Sequence, residues 1–130
     1  MCKVTKRKFF LANNISLAIK LKLNGVYIPS FNKSLKIKYL KTNNFEILGS
    51  AHNMAEINQK KKQGVQKIFI SPLFKISKSF SHLGIIRYNF LSQHIKNQSI
   101  ALGGINKNNM KKLKMLKCDG FAAIRFFKNE

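Results

Sequence analysis

Six short apolar runs recur along this chain at nearly regular intervals, and the stretches between them carry apolar residues every three or four positions. The runs cover residues 8–12, 26–28, 46–50, 67–70, 99–102 and 120–124. Short runs rich in β-branched and aromatic residues read as buried strands, and a three-and-four spacing reads as helix. Ile15, Leu17, Ala18, Leu21 and Leu23 make the first helical stripe, with Asn24-Gly25 as its stop. Further helices are expected over 34–42, 53–64, 83–96 and 110–117. Asn53 stands three residues before Glu56, the spacing of a capping box, and Gly64 suits the far end of that helix. Strand and helix alternating six times predicts an α/β fold with a parallel sheet and right-handed crossovers, because a parallel neighbour cannot be reached by a hairpin.

Function in such sheets sits at the carboxyl ends of the strands. Just past the runs stand Asn13-Asn14, residues 30–32, Ser50-Ala51-His52, residues 71–78, Gly103-Gly104 and Ile124-Arg125. The four acids lie elsewhere: Glu46 in a strand start, Glu56 at a cap, Asp119 before the last strand and Glu130 at the terminus. A two-carboxylate mechanism or a carboxylate cage for Mg²⁺ is therefore hard to build. Ser50 has no acid and base near it in sequence, so nothing supports a nucleophilic triad. His52 at a strand end reads as a structural residue or a site residue. Lys78 and Arg125 can neutralise phosphate, with Ser71, Ser77 and glycine amides as donors. At Gly103-Gly104 an apolar run breaks and leads through Asn106 into the 110–117 segment. Such a turn lets an anion approach the backbone and meet the N–H groups of a following helix, although Gly-Gly also serves as an ordinary turn.

A length of 130 residues is one domain's worth, and no Pro-rich linker or shift of composition divides it. Lys plus Arg number 25 against 4 acids, a net charge of +21 that points to an anionic partner. The excess is lysine spread over nearly every expected helix, and arginine occurs only at Arg7, Arg87 and Arg125. A nucleic-acid surface therefore ranks below a small phosphorylated ligand. Cys2 and Cys118 are far apart, with no zinc or disulfide spacing, which fits the cytoplasm. No apolar run approaches the roughly 20 residues of a spanning helix, and no signal-peptide pattern is evident.

Five pieces of the chain carry a family likeness in their order and separations. They are Ser50-Ala51-His52-Asn53 with Glu56, Ile70-Ser71-Pro72-Leu73-Phe74 with Lys78, Leu83-Gly84, Ala101-Leu102-Gly103-Gly104-Ile105, and Asp119-Gly120-Phe121-Ala122. Over about residues 9–127 the chain resembles the thiamine phosphate synthase / TenI family. The resemblance implies a partial (β/α)8 TIM barrel: a single domain over 1–130 holding strands three to eight, without the first two βα units. It implies coupling of hydroxymethylpyrimidine diphosphate to thiazole phosphate with release of pyrophosphate and Mg²⁺ on the diphosphate, or TenI-type thiazole chemistry. By position, Asn13, Ser50 and Lys78 would face the pyrimidine diphosphate. Ser77, Gly103, Gly104, Ile124 and Arg125 would surround the thiazole phosphate, which makes the glycine turn the phosphate end of the barrel's seventh strand.

The departures from the family pattern bear on chemistry. Asn14 and Asn32 stand where the resemblance implies the two metal-binding Asp residues, Arg125 replaces a usual hydroxyl, and the basic diphosphate clamp has no counterpart. A diphosphate without its Mg²⁺ and clamp loses several kcal/mol of leaving-group stabilisation. A binding module without turnover is thus the alternative to a synthase. Six of eight units would also leave two sheet edges open, so the chain is expected to be truncated, degenerate, or closed by an oligomer or partner chain.

Overall fold

The computed structural model describes residues 7–40, 44–76, 81–95 and 98–122. Strands β1 (Phe10–Ala12), β2 (Gly25–Ile28), β3 (Glu46–Ala51), β4 (Lys67–Ile70), β5 (Gln98–Leu102) and β6 (Gly120–Ala122) form one sheet. Every neighbouring pair is parallel, and the strands lie in sequence order from β1 to β6. A doubly wound sheet reverses its order part-way and carries helices on both faces. Here each crossover steps the same way, which is barrel winding.

The register carries the same message. Ala12, Tyr27, Leu48, Lys67 and Gln98 lie in one row across five strands, from the last residue of β1 to the first of β5. That progressive stagger is what tilted strands need in order to curl toward a barrel. The sheet is not closed among the described residues, and β1 and β6 are its edges.

Strand side chains alternate between two faces. One face presents Val26, Ile28, Ile47, Ala51, Ile68, Ile70 and Ala101, each at most 1% exposed. Helices α1 (Ile15–Lys20), α2 (Met54–Lys62) and α3 (Gly84–Ser92) add Ala18, Ile57 and Tyr88 to this core. Full burial of one such aliphatic side chain is worth about 1.5–3 kcal/mol, so this layer is the main source of stability. The opposite face carries Tyr27, Leu48, Ser50, Phe69, Ile100 and Leu102; Leu48 and Ser50 are buried and the others half-buried.

Several local expectations are corrected. The first helix ends at Lys20, with Lys22 at φ +55 turning the chain, rather than continuing to Asn24-Gly25. Gly25 opens β2, and a Cβ there would strike the Glu46 carbonyl and the Phe10 ring, so it permits close strand approach instead of stopping a helix. The segments expected as helices over 34–42 and 110–117 are 3-10 helices, Leu35–Leu40 and Met110–Met115. Six residues give an α-helix little propagation to offset its nucleation; α1 is as short but has the Asn14 side chain capping its first turn, which Met110–Met115 lacks. The capping box is confirmed in a shifted form: Asn53 Oδ1 accepts from Glu56 N at 2.9 Å, and Glu56 Oε2 accepts from His52 N at 2.6 Å.

Candidate functional site

At the end of β1, Asn13 has φ +54, a left-handed conformation that asparagine tolerates better than most residues. Its N–H still donates to the Tyr27 carbonyl at 2.7 Å, extending the β1–β2 ladder by one bond. The Asn13 side chain reaches the end of β2, where its Oδ1 accepts from Asn32 Nδ2 at 2.6 Å. Asn14 does not join them. Its Oδ1 caps α1 by accepting from Leu17 N at 3.0 Å, so the residue opposite Asn32 is Asn13 rather than Asn14.

Asn32 sits in a loop held from behind by α2 and its C-terminal residue. Lys60 Nζ and Gln63 Nε2 each donate to the Asn32 carbonyl at 2.8 Å. Gln63 Nε2 also reaches the Ser34 carbonyl at 3.0 Å, and Gln59 Nε2 reaches the Lys33 carbonyl at 2.7 Å. Lys60 is 0% exposed. Burial pushes its ammonium down to about 8, against a smaller upward pull from Glu56. Gly49 makes room for it, since a Cβ there would lie 2.9 Å from Lys60 Cδ.

Ser50, at the end of β3, is 6% exposed and hydrogen-bonds the Tyr27 phenol. Burial raises the Tyr27 pKa and the Ser50 bond partly offsets it, so the phenol keeps its proton at neutral pH. The Tyr27 and Phe69 rings lie 5.5 Å apart, centroid to centroid, beside Ser50. His52 Nδ1 is 2.8 Å from the Ser71 carbonyl and 3.3 Å from Ser71 Oγ. A carbonyl can only accept, so Nδ1 is the donor in this contact. This contact ties the end of β3 to the end of β4.

The Gly103-Gly104 turn differs from the expectation drawn from sequence. Both glycines have positive φ, +104 and +70. A Cβ on Gly103 would lie 2.8 Å from Pro72 Cα, and one on Gly104 2.7 Å from the Phe74 and Lys75 carbonyl oxygens. Both are needed for the turn to fit under the 72–75 loop, which it also bonds through Leu73 N to Leu102 O at 2.9 Å and Phe74 N to Gly103 O at 3.0 Å. No α-helix N-terminus follows. Asn106 Oδ1 accepts from Asn108 N and Asn109 N, and Asn109 Oδ1 accepts from Asn106 N, so those N–H groups are satisfied locally. What the turn can offer an anion is its own glycine backbone.

The strand ends therefore join Asn13 to Asn32, Ser50 to Tyr27, His52 to Ser71, and the glycine turn to the 72–75 loop. Ser77, Lys78, Ile124 and Arg125, expected around the phosphates, lie outside the described residues. Tyr27 and the Gln59, Lys60 and Gln63 support were not singled out from sequence. Lys60 sits in a run of three lysines that offers no sign of which one is buried.

A parallel sheet wound in one direction, with neutral polar groups at its strand ends, is shared by many enzymes, so relatives decide the family. The model of the family described as thiamine monophosphate synthase matches residues 1–127. The chain belongs to this family. Thiamine-phosphate synthase of Prochlorococcus marinus subsp. pastoris is 29% identical over 117 residues, covering 88% of this chain and 33% of the relative. The enzyme of the same name from Mannheimia succiniciproducens is 23% identical over 130 residues, covering 95% and 59%. Thiamine phosphate pyrophosphorylase from Pyrococcus furiosus shares the fold with a TM-score of 0.76 at 21% identity, over 95% of this chain and 59% of that one. The chain thus spans between 33% and 59% of the length of these relatives.

The resemblance to thiamine phosphate synthases implies Mg²⁺, and the described residues do not fit it. No group of three or more His, Cys, Asp or Glu that could hold a metal exists among them. At the strand ends, Asn13 Oδ1, Asn14 Oδ1 and the Asn32 side-chain oxygen each already accept an N–H, and Glu56 is turned onto His52 N. A hard divalent cation needs several oxygens with charge on some of them.

Proposed function

We propose that this chain works in thiamine biosynthesis, holding phosphorylated heterocycles at the carboxyl ends of its strands. Thiazole phosphate and hydroxymethylpyrimidine diphosphate are the ligands, and the reaction is the coupling that releases pyrophosphate. Family membership over 1–127 carries this reading. The strand ends support it: their described polar groups are amides, hydroxyls, a histidine and glycine backbone, in a chain of net charge +21, and the nearby Glu56 is turned onto a backbone N–H. The half-buried Tyr27–Phe69 ring pair supplies an apolar surface next to Ser50, suited to a flat heterocycle. With no helix long and apolar enough to cross a membrane among the described residues, the cytoplasm is the compartment we assign.

The Asn13–Asn32 bond favours a second reading, a module that binds these ligands without turnover. Calorimetric titration of thiazole phosphate, followed by addition of pyrimidine diphosphate and Mg²⁺ with product detection, separates the two. Binding with product supports the synthase, and binding without product supports the module. Absence of binding to either heterocycle overturns both.

A further inference from the structure

We propose that Asn13 and Asn32 form a metal-free anion site, a donor pair that takes an oxygen of a phosphate or diphosphate group directly. This rests on the reading that the strand ends hold phosphorylated ligands, and it assigns how one of those phosphates is held.

The orientation of both amides follows from a single bond. Asn32 Oδ1 accepts from Ser34 N at 3.0 Å, so the atom Asn32 turns toward Asn13 is its Nδ2. An NH₂ group needs an acceptor, so Asn13 presents Oδ1 to it at 2.6 Å. The Asn13 Nδ2 must then face away. Asn13 is exposed, and its Nδ2 donates to no described residue. Asn32 Nδ2 also keeps a second hydrogen. Each oxygen of the pair already accepts one N–H while three N–H bonds remain to be given, a donor-rich inventory that suits an anion better than a cation.

Charge and rigidity point the same way. The ammonium of Lys60 is fully buried and bonds the Asn32 carbonyl at 2.8 Å and Gln63 Oε1 at 2.8 Å, with no carboxylate bonded to it. A buried positive charge directly behind the loop favours an anion in front of it and disfavours Mg²⁺. The bonds from Gln59, Lys60 and Gln63 fix the loop in advance, so little ordering cost remains for a ligand. An amide pair gives up the bridging cation and gains direct donors.

Inorganic pyrophosphate is the probe, titrated calorimetrically into the full chain in EDTA and again with excess MgCl₂, beside thiazole phosphate as a separate arm. Pyrophosphate is expected to bind in EDTA, and Mg²⁺ to weaken it by competing for the same anion. Asn13→Gly keeps the left-handed backbone and removes the free donors, and should cost about tenfold in affinity. Asn32→Asp keeps the acceptor for Ser34 N but sets a negative charge in the site, and should cost more than tenfold in EDTA. The double variant Asn13→Asp, Asn32→Asp should bind pyrophosphate only when Mg²⁺ is added. Near-UV circular dichroism of each variant verifies the fold. Wild-type binding that requires Mg²⁺, or binding indifferent to both Asn13→Gly and Asn32→Asp, overturns the anion site while thiazole phosphate binding leaves the broader function standing. A chain that binds neither pyrophosphate nor thiazole phosphate overturns both.

Discussion

The two ends of the sheet use polar chemistry in opposite ways. At the amino end, carboxylates are spent on structure: Glu46 pairs with Lys8 and lies 3.8 Å from Lys67, and Asp119 Oδ2 accepts from Ser99 N at 2.9 Å. At the carboxyl end, the groups the strand ends bring together are amides, hydroxyls, a histidine and glycine backbone, and the nearby acid, Glu56, is absorbed by a helix cap. One sheet thus keeps its negative charge where it ties strands together and withholds it from the strand ends proposed to meet ligands. The division follows barrel logic, in which the amino face serves stability and the carboxyl face serves chemistry.

The contrast is sharpest in the glycines. Gly104→Val would place side-chain atoms against the Phe74 and Lys75 carbonyls at φ +70, and is expected to cost about 3–4 kcal/mol in chemical denaturation. Gly120→Ala, where a β6 Cβ meets nothing within 4 Å, should stay within about 0.5 kcal/mol. Equal effects would mean that the carboxyl-end turn is not packed as described.

Lys60 gives the next effect. Its ammonium is held at about 8 in the folded chain against 10.5 for an ordinary lysine, so between these values the unfolded chain binds more protons and stability rises with pH. From pH 7.5 to 9.5 the gain is about 2 kcal/mol in wild type, by denaturant titration at each pH. In Lys60→Met this part of the rise should vanish. A rise of the same size in both would assign it to the other lysines.

Glu46→Gln at the amino end should cost the least, about 0.5–1 kcal/mol, because the pair is partly solvated. The hydrogen bond from Lys8 is the main reason the Glu46 carboxyl is held below its usual 4.5. Its contribution is therefore fully present above that value and is lost as the pH falls below it through the lowered folded value. Thermal melts at pH 7 and pH 3 should differ less in the variant than in wild type, and phosphate-ligand affinity should not change.

Much of the fold was legible in sequence because alternation of apolar runs and helical stripes is a whole-chain signal. Six strands and their parallel pairing followed from it, with the ends of β1, β2, β4 and β5 as expected, β3 one residue longer and the expected end of the sixth run outside the described residues. Local terminations were harder to read. Asn24-Gly25 looked like a helix stop, yet Lys22 turns the chain and Gly25 is required by the approach of Glu46 and Phe10. The site was legible as a set of residue types but not as contacts. Asn13 and Asn14 are adjacent and alike, and only the left-handed backbone at Asn13 decides which amide meets Asn32 and which caps a helix. The expected helix N-terminus after Gly103-Gly104 failed because Asn106 and Asn109 satisfy the N–H groups it would have offered. Side-chain competition for backbone donors of this kind leaves little trace in periodicity.

The contrast between the two ends is most directly tested by mapping thiazole phosphate onto the chain by backbone amide NMR. Shifts confined to the carboxyl end, at Ser71 and Gly103-Gly104, are the expected result, with Glu46, Lys67, Ser99 and Asp119 unmoved. Shifts centred on the amino end, or scattered over the surface lysines, would contradict it.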